Sequence, residues 1–401
     1  MFAIQLTRHG ARAPCNHIDF PNITTHPWEE GLGQLTGQGE RQHYLLGKKH
    51  YKRYQQENQL LSEKFDPREI LIYSTDVNRT LMSAYSELLA WYPLGTVEEI
   101  KQKYEKQRAQ PPFEVKNKDK IIKELGNFPT MDGFQPVPIH TGKNIDKLLR
   151  ANDEAVCPIV EFYYEKAKKD KKFKEVNKRY ADNILKTIHD DWKVNQTLDF
   201  ATVDPWTDSY FTAMFDLRLK EEFELDNDKV NEMLADRYYY FYYLFDEVKR
   251  LVSTNFLNFV YTKMDQKISF QNSKNSAETE DFEDIKDLKL VFMSAHDSTL
   301  AAILSGVQQP QDIQPLFASS ILIELWKREG SSEKNDENSE FYVKWILDDK
   351  NLNIGGVCDS EGNCPYEKFK EFLESREYQG DWEEACNAKV DDSIFSAKNV
   401  S

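Results

Sequence analysis

The chain has 401 residues, 40% of them hydrophobic, so it can bury a substantial core in one large or two medium domains. Its formal net charge of −16 and isoelectric point near 5.1 argue against a nucleic-acid partner. No run of about eighteen apolar residues is present, which excludes a membrane-spanning helix.

The chain opens on an apolar run, Met1 to Leu6, that predicts a β-strand and leads directly into the motif Arg8-His9-Gly10-Ala11-Arg12-Ala13-Pro14. A guanidinium is planar, permanently charged and able to clamp phosphate oxygens bidentately. Arg8 and Arg12 therefore indicate a held oxyanion, with His9 as a candidate nucleophile. The alternative is a solvated basic turn, and two later segments decide against it.

Two further strand ends carry polar residues of the same kind. The strand candidate Ile70–Ile72 continues into a segment with Asn78 and Arg79 and then into a helix-like stretch, 81–91. Residues 288–293 likewise lead into Ser294-Ala295-His296-Asp297-Ser298-Thr299 and a helix-like stretch, 299–304. Three such strands would bring their polar ends together along one edge of a parallel sheet, where α/β folds bind ligands.

The remaining patterns predict a split organisation. Residues from about 140 to 265 have helical spacing, as in 234–259, whereas 319–326 and 341–347 predict an antiparallel hairpin. The aromatic run 238–243 is better explained by a buried helix than by a binding platform. Residues 272–287 are polar, acidic and aperiodic, which predicts a mobile linker.

At the three strand ends the chain resembles the histidine acid phosphatases, and within them the branch of prostatic and lysosomal acid phosphatases. Segments 35–44 and 135–141, together with Asp381, Trp382 and Cys386, are also similar to this family. The resemblance is strongest in residues 1–92 and 288–326, and it is weak in 100–130 and 165–280.

With these patterns, the resemblance implies an α/β fold: a central, mostly parallel sheet flanked by helices, phosphoglycerate mutase-like, with an inserted α-helical cap domain. The expected boundaries are 1–138 and 266–401 for the split catalytic domain and 139–265 for the cap. The cap is expected to wall the active-site cleft.

The resemblance also assigns roles residue by residue. It implies that His9 accepts the phosphoryl group and that Asp297 protonates the leaving group. The groups expected to bind the phosphate oxygens are Arg8, Arg12, Arg79 and His296. The chain departs from the pattern of the prostatic enzymes at Ala11, where they usually carry Asp, and at Cys15; both departures concern the rim of the pocket.

The chemistry supports these roles independently, because phosphoryl transfer mainly requires that the protein position the reacting groups and place positive charge around the equatorial oxygens. The sequence has no HExxH motif, calcium-loop carboxylate cluster or P-loop lysine motif, so no metal or other cofactor is expected. Nearby cations would lower the pKa of His9 and keep the imidazole neutral in acid.

The leading hypothesis is a metal-independent acid phosphatase that hydrolyses small-molecule or peptide phosphomonoesters through a phosphohistidine. A phytase or other inositol-phosphate hydrolase is the first alternative, because Arg-His-Gly-Ala-Arg is also common in phytases. A phosphomutase and a non-catalytic phosphate binder are less favoured. Relatives are often dimers, so a homodimer is possible.

Cysteine usage bears on the compartment. Cys358 and Cys364 flank a turn-rich loop that could close a small disulfide, and the resemblance would pair Cys157 with Cys386 and leave Cys15 free. Reduced, buried cysteines are the alternative. The expectation is a secreted or lysosomal glycoprotein whose leader has been removed, with Met1 added for expression.

The glycosylation sequons begin at Asn22, Asn78, Asn195 and Asn399, and Asn78 should stay unmodified because it adjoins Arg79.

Overall fold

In the computed structural model of the protein, the described residues are 1–16, 18, 28–101, 108–216, 225–273, 284–328 and 340–389. Their strands form one seven-stranded sheet in the order β2-β3-β1-β4-β5-β6, with β7 also paired to β5. The strands are β1 (Phe2–Arg8), β2 (Ile70–Ser74), β3 (Leu290–Ala295), β4 (Ser320–Lys327), β5 (Phe341–Leu347), β6 (Lys350–Asn351) and β7 (Cys364–Pro365).

The three strands predicted to carry the site are neighbours and run parallel. Residue Arg8 at the end of β1 lies beside Ala295 of β3, and Ser74 of β2 lies beside Ser294. The predicted hairpin is confirmed, because β4 pairs antiparallel with both β1 and β5. Most of the loop that joins β4 to β5 lies outside the described residues.

The sheet is flanked by helices, as the predicted fold class requires. Those on the sheet-forming segments are α1 (Gly37–Tyr51), α2 (Asn78–Trp91), α3 (Lys118–Leu125), α4 (Lys143–Leu149), α11 (Asp297–Gly306), α12 (Tyr366–Arg376) and α13 (Trp382–Cys386). The helices between them are α5 (Ile159–Lys169), α6 (Lys171–Tyr180), α7 (Lys186–Asp191), α8 (Asp204–Phe215), α9 (Asn227–Arg237) and α10 (Asp246–Ser273). Short π-helical turns cover Lys52–Glu57, Ala181–Leu185 and Tyr238–Tyr242, and 3-10 turns cover Met131–Gly133 and Ile354–Gly356. Within the described residues, no helix is long and apolar enough to cross a bilayer.

The alternation of side chains along β1 explains the two layers of core. Phe2, Ile4 and Leu6 face one side of the sheet, where they join an apolar cluster that includes α10 and α11. Ala3 faces the other side, in a cluster with α2 and the turn after α1. Gln5 also lies on that second side, where it meets a buried carboxylate instead of apolar groups.

The helical pattern predicted for residues 234–259 is confirmed, and the structure divides this stretch between two helices. Helix α9 passes into the π-helical turn at Tyr238–Tyr242, and residues 243–245 separate that turn from α10. Helix α10 then continues to Ser273, into the start of the predicted linker, whose residues 274–283 lie outside the described residues. The division into a catalytic domain and a cap stays a prediction.

Both expected disulfides are present. Cys157 is bonded to Cys386 and Cys358 to Cys364, while Cys15 is a free, exposed thiol. The first bridge ties the start of α5 to α13 within an apolar cluster that also contains Val248 of α10. It therefore fixes the helical segment to the C-terminal part of the chain.

The two bridges should differ in their effect on stability. They join residues 229 and 6 positions apart. In the chain-entropy model, the longer loop contributes about 5.5 kcal/mol to the free energy of unfolding and the shorter about 2. In urea denaturation, a Cys157→Ala/Cys386→Ala variant should therefore lose more free energy of unfolding than the matched variant Cys358→Ala/Cys364→Ala. A larger loss from the short bridge would contradict this order.

Candidate active site

The ends of β1, β2 and β3 bring the predicted residues together. The His9 N–H donates to the Ala295 carbonyl at 3.0 Å, so the residues after β1 and β3 continue side by side. Helix α2 begins next to the end of β2 and carries Arg79 in its first turn, whereas Asp297 is the first residue of α11. All six candidate side chains, including Arg8 and His296, lie at this edge of the sheet.

The turn after β1 packs unusually closely against the start of α1. A Cβ atom on Gly10 would lie 2.6 Å from the Cα of Gly39, and one on Gly39 would lie 2.8 Å from the Ala11 nitrogen. Distances this short leave no room for a side chain at either position. The backbone of Ala11 is held as well, donating to Gln42 Oε1 at 2.8 Å.

His9 is held in one tautomer. It is only 1% exposed, and its Nδ1 lies 2.8 Å from the Gly10 carbonyl oxygen. Because a carbonyl only accepts, Nδ1 carries the proton and Nε2 keeps its lone pair. Burial, followed by the charges of Arg79, Arg8 and Arg12, lowers the pKa of His9 well below its usual value. The imidazole therefore stays neutral in acid.

Arg8 is fixed by three partners of different kinds. Its Nη2 lies 2.7 Å from Asp297 Oδ2, and its Nη1 donates to the Pro315 carbonyl at 2.5 Å. Its guanidinium carbon lies 4.2 Å from the centre of the Phe317 ring, a cation–π contact. The His9 ring is also near Phe317, with ring centres 5.9 Å apart.

Arg12 is paired with a residue that the sequence analysis did not identify. Its Nη2 and Nη1 lie 2.7 and 3.2 Å from the two carboxylate oxygens of Asp208 in α8. The same carboxylate accepts the Cys15 N–H at 2.8 Å, which ties the loop after the motif to that helix. The pair is largely buried, with 9% and 15% of the two side chains exposed.

Arg79 and His296 form the other side of the site. Arg79 Nη2 lies 3.4 Å from His296 Nδ1, and His296 Nε2 lies 3.0 Å from Thr75 Oγ1. An arginine can only donate, so Nδ1 accepts here and Nε2 carries the proton. Burial and the charge of Arg79 lower the pKa of His296 to about 3. Both ring nitrogens are engaged, so His296 must leave one contact before it can donate to a phosphate.

Each of the three arginines keeps one buried donor without an acceptor among the described residues: the Nε–H groups of Arg8, Arg12 and Arg79. Buried donors without partners are rare in folded proteins because they lose their hydrogen bonds to water. Three such donors around one histidine fit an oxyanion ligand. Small movements of the arginine side chains on binding would bring these donors to its oxygens.

Asp297 is ionised in this arrangement. Burial alone would raise the pKa of its carboxyl, but Arg8 and then Arg12 lower it to about 2. The carboxylate also accepts the Ser298 N–H at 2.7 Å at the start of α11. Asp297 is therefore a counter-ion of Arg8 until a bound phosphate changes the charge around it.

Two adjoining cavities meet at Asp297. The larger, about 430 Å³, is lined by Arg8, Arg12 and Asp297 and by residues of the helical segment, including Arg237. The smaller, about 160 Å³, is lined by Arg79, His296 and Asp297. His9 lines neither of these two cavities. Three tyrosines of the aromatic run also line the larger cavity, so that run borders the cleft in addition to packing: Tyr238, Tyr242 and Tyr243.

A buried carboxylate supports the site from behind. Glu87 of α2 is fully buried, and its oxygens lie 2.5 Å from Gln5 Nε2, 2.7 Å from His50 Nδ1 and 3.3 Å from His43 Nδ1. Burial raises the pKa of Glu87, but the hydrogen bonds from His43 and His50 lower it to about 2. His43 Nε2 lies 2.9 Å from the Arg8 carbonyl. His43 and His50 are thus buried packing groups, not surface groups, and they anchor the end of β1.

His17 and His26, which follow the motif, lie outside the described residues. Among the residues that the structure describes, no group of three or more His, Cys, Asp or Glu side chains is placed to hold a metal ion.

Comparison with known proteins agrees with this geometry. Residues 1–348 match the family described as "Histidine phosphatase superfamily (branch 2)". The chain belongs to this family. It is 26% identical to putative acid phosphatase 5 of Caenorhabditis elegans and 27% identical to mouse prostatic acid phosphatase. These alignments cover 96% of the chain, and 78% and 89% of the two relatives.

Solved structures confirm the fold class. The phytase from Citrobacter braakii matches 97% of this chain and 99% of its own, with a TM-score of 0.62 at 15% identity. A Hafnia alvei phytase in complex with tartrate matches 96% and 97%, with a TM-score of 0.57. At such low identity these structures establish the fold alone. Family membership confirms the prediction of a phosphoric monoester hydrolase of the histidine phosphatase type.

The close approach of Gly10 and Gly39 predicts a sharp effect of one methyl group. Gly10→Ala should move the turn that holds Arg8 and His9 and lower kcat/KM by about 100-fold, because displacements near 1 Å have effects of that order. Gly37→Ala is the matched control, since a Cβ there would meet nothing within 4 Å. Steady-state assays of both variants test this, and full activity of Gly10→Ala would contradict it.

Proposed function

We propose that the protein is a metal-independent acid phosphatase that hydrolyses phosphate monoesters through a phosphohistidine at His9. The observation that carries this is the neutral, buried His9, whose Nε2 keeps its lone pair, among three arginines. An inositol-phosphate hydrolase is a less supported alternative, since the phytase structures bear on the fold alone.

In the first step, His9 Nε2 attacks the phosphorus and the bond to the leaving oxygen breaks. Arg8, Arg12 and Arg79 stabilise the charge on the equatorial oxygens. Asp297 gives a proton to the leaving oxygen, so an alcohol departs. His296 would turn its Nε2–H from Thr75 to a phosphate oxygen.

In the second step, water attacks the phosphorus of the phosphohistidine and the P–N bond breaks. Asp297, now ionised, takes a proton from this water and passes it to the departing phosphate, which leaves as its monoanion. Asp297 is then ionised again, and His9 has its original neutral form. The same carboxyl thus acts as acid and then as base.

The proton on Asp297 must come from outside the free site, because Arg8 and Arg12 keep this carboxyl ionised. A phosphomonoester has a second pKa of about 6 and arrives at pH 5 with one proton. Transfer of that proton to Asp297 leaves a dianion among the arginines and prepares the acid. His9 stays neutral at that pH because its own pKa is depressed.

The two disulfides and the exposed sequon at Asn195 support a secreted or lysosomal glycoprotein. Asn22 and Asn399 lie outside the described residues. A homodimer, implied by the resemblance, stays a prediction that light scattering would test.

The first test of function is phosphate release from p-nitrophenyl phosphate at pH 5 with a chelator present; no release would contradict the proposal.

His9→Ala should abolish turnover and retain phosphate binding, because the three arginines remain. Wild-type protein quenched in alkali during turnover of labelled substrate should carry base-stable, acid-labile phosphate on His9. The matched control is His189→Ala, which removes an exposed histidine of α7. Label on a serine or an aspartate would contradict the assignment.

Asp297→Asn should separate substrates by their leaving groups. A positioned acid typically contributes 10²–10⁴-fold of rate, about 3–5 kcal/mol, when the leaving group is an alkoxide. The kcat for alkyl phosphates should therefore fall by about that factor. The kcat for p-nitrophenyl phosphate should fall far less, because its leaving group needs little protonation. Equal losses would mean that Asp297 only orients its neighbours.

A further inference from the structure

Helix α8 presents one continuous face to the phosphate site. Asp204, Asp208, Phe211 and Phe215 are spaced by four, three and four residues, which places them on one side of a helix. Asp204 pairs with Arg237, Asp208 pairs with Arg12, and the two phenylalanine rings contact Phe317 beneath Arg8.

Asp208 occupies one particular edge of the Arg12 guanidinium. Its two oxygens meet Nη2 and Nη1, the two ends of the fork, at 2.7 and 3.2 Å. Arg12 Nη1 also donates to the Ala13 carbonyl at 3.0 Å. The group is planar, so these contacts fix both its plane and its rotation.

The other edge of the guanidinium, formed by Nε–H and the second hydrogen of Nη2, is left for a ligand. The Nε–H is buried and has no acceptor among the described residues. A phosphate that takes this edge would find the guanidinium already oriented. Long side chains otherwise lose rotamer freedom when they bind, and preorganisation removes that loss.

We propose that Asp208 is a positioning residue for the phosphate site, which holds Arg12 so that its free edge meets the substrate's phosphate. Asp208 acts through Arg12 and does not touch the substrate. The inference rests on the proposed function, because the oxyanion concerned is the phosphate of the ester. It also assigns a role to α8, which lies where the sequence resembles its family least.

The test uses binding of inorganic phosphate, measured by isothermal titration calorimetry on the full chain. Asp208→Ala should weaken phosphate binding and raise KM about tenfold, the order expected when one preorganised contact is loosened, with kcat changed much less. Asp208→Asn keeps one acceptor oxygen and its packing volume, so it should lie between the wild type and Asp208→Ala. Asp228→Ala removes a carboxylate from α9 outside the cleft and serves as the control.

A double-mutant cycle shows whether the effect passes through Arg12. In an Arg12→Ala background, Asp208→Ala should have no further effect on phosphate affinity. Additive losses, tighter phosphate binding in Asp208→Ala, or a loss confined to kcat would each overturn the inference. If Asp208→Ala does not fold, the Asn variant completes the cycle. The two proposals can fail separately. If the wild type binds phosphate and the variants show this coupling, but the wild type hydrolyses no ester, only the proposed function is refuted.

Discussion

The repulsion among three guanidinium groups at the end of β1 is the constraint on which the arrangement around them depends. The charge of Arg12 acts unfavourably on both Arg8 and Arg79, and all three lie in a region of low exposure. Like charges this close in a medium of low dielectric constant repel strongly. The site relieves the repulsion by pairing Arg8 with Asp297 and Arg12 with Asp208. It also keeps its histidines neutral, as the depressed pKa values of His9 and His296 show.

The wall behind the site keeps this charge in place. The Arg8 carbonyl contacts His43, which contacts Glu87, and Glu87 is also bonded to His50 and Gln5. An ionised carboxylate without water is unfavourable unless several donors surround it, as they do here. A buried polar network of this kind permits one register between β1, α1 and α2. The close contact of Gly10 and Gly39 adds a steric reason for the same register.

The sequence predicted the parts of the site that are encoded locally. Each of His9, Arg79 and Asp297 follows a short apolar strand within a few residues. The strand pattern and the polar residue are therefore visible together in one short stretch of sequence. Asp208 could not be found in this way, because its partner Arg12 is 196 positions away and α8 has no distinctive motif. The spacing of His43 and His50 was a signal, but an isolated pair of helical histidines fits a surface equally well. The break between α9 and α10 was missed because the aromatic run keeps a helical spacing through the π-helical turn.

Asp297 connects the charge balance of the free site to the chemistry of the bound one. In the free site its negative charge is half of the ion pair with Arg8. When a phosphate enters, its oxygens supply negative charge to the same guanidinium, so the carboxylate loses part of what kept its pKa low and also faces a new anion. Both changes raise its affinity for a proton. In the proposed mechanism, substrate binding therefore produces the acid that the leaving group requires, and the departure of phosphate restores the ion pair. The aspartate that neutralises Arg8 is thus, in this proposed mechanism, also the proton donor, whereas Asp208 stays paired with Arg12.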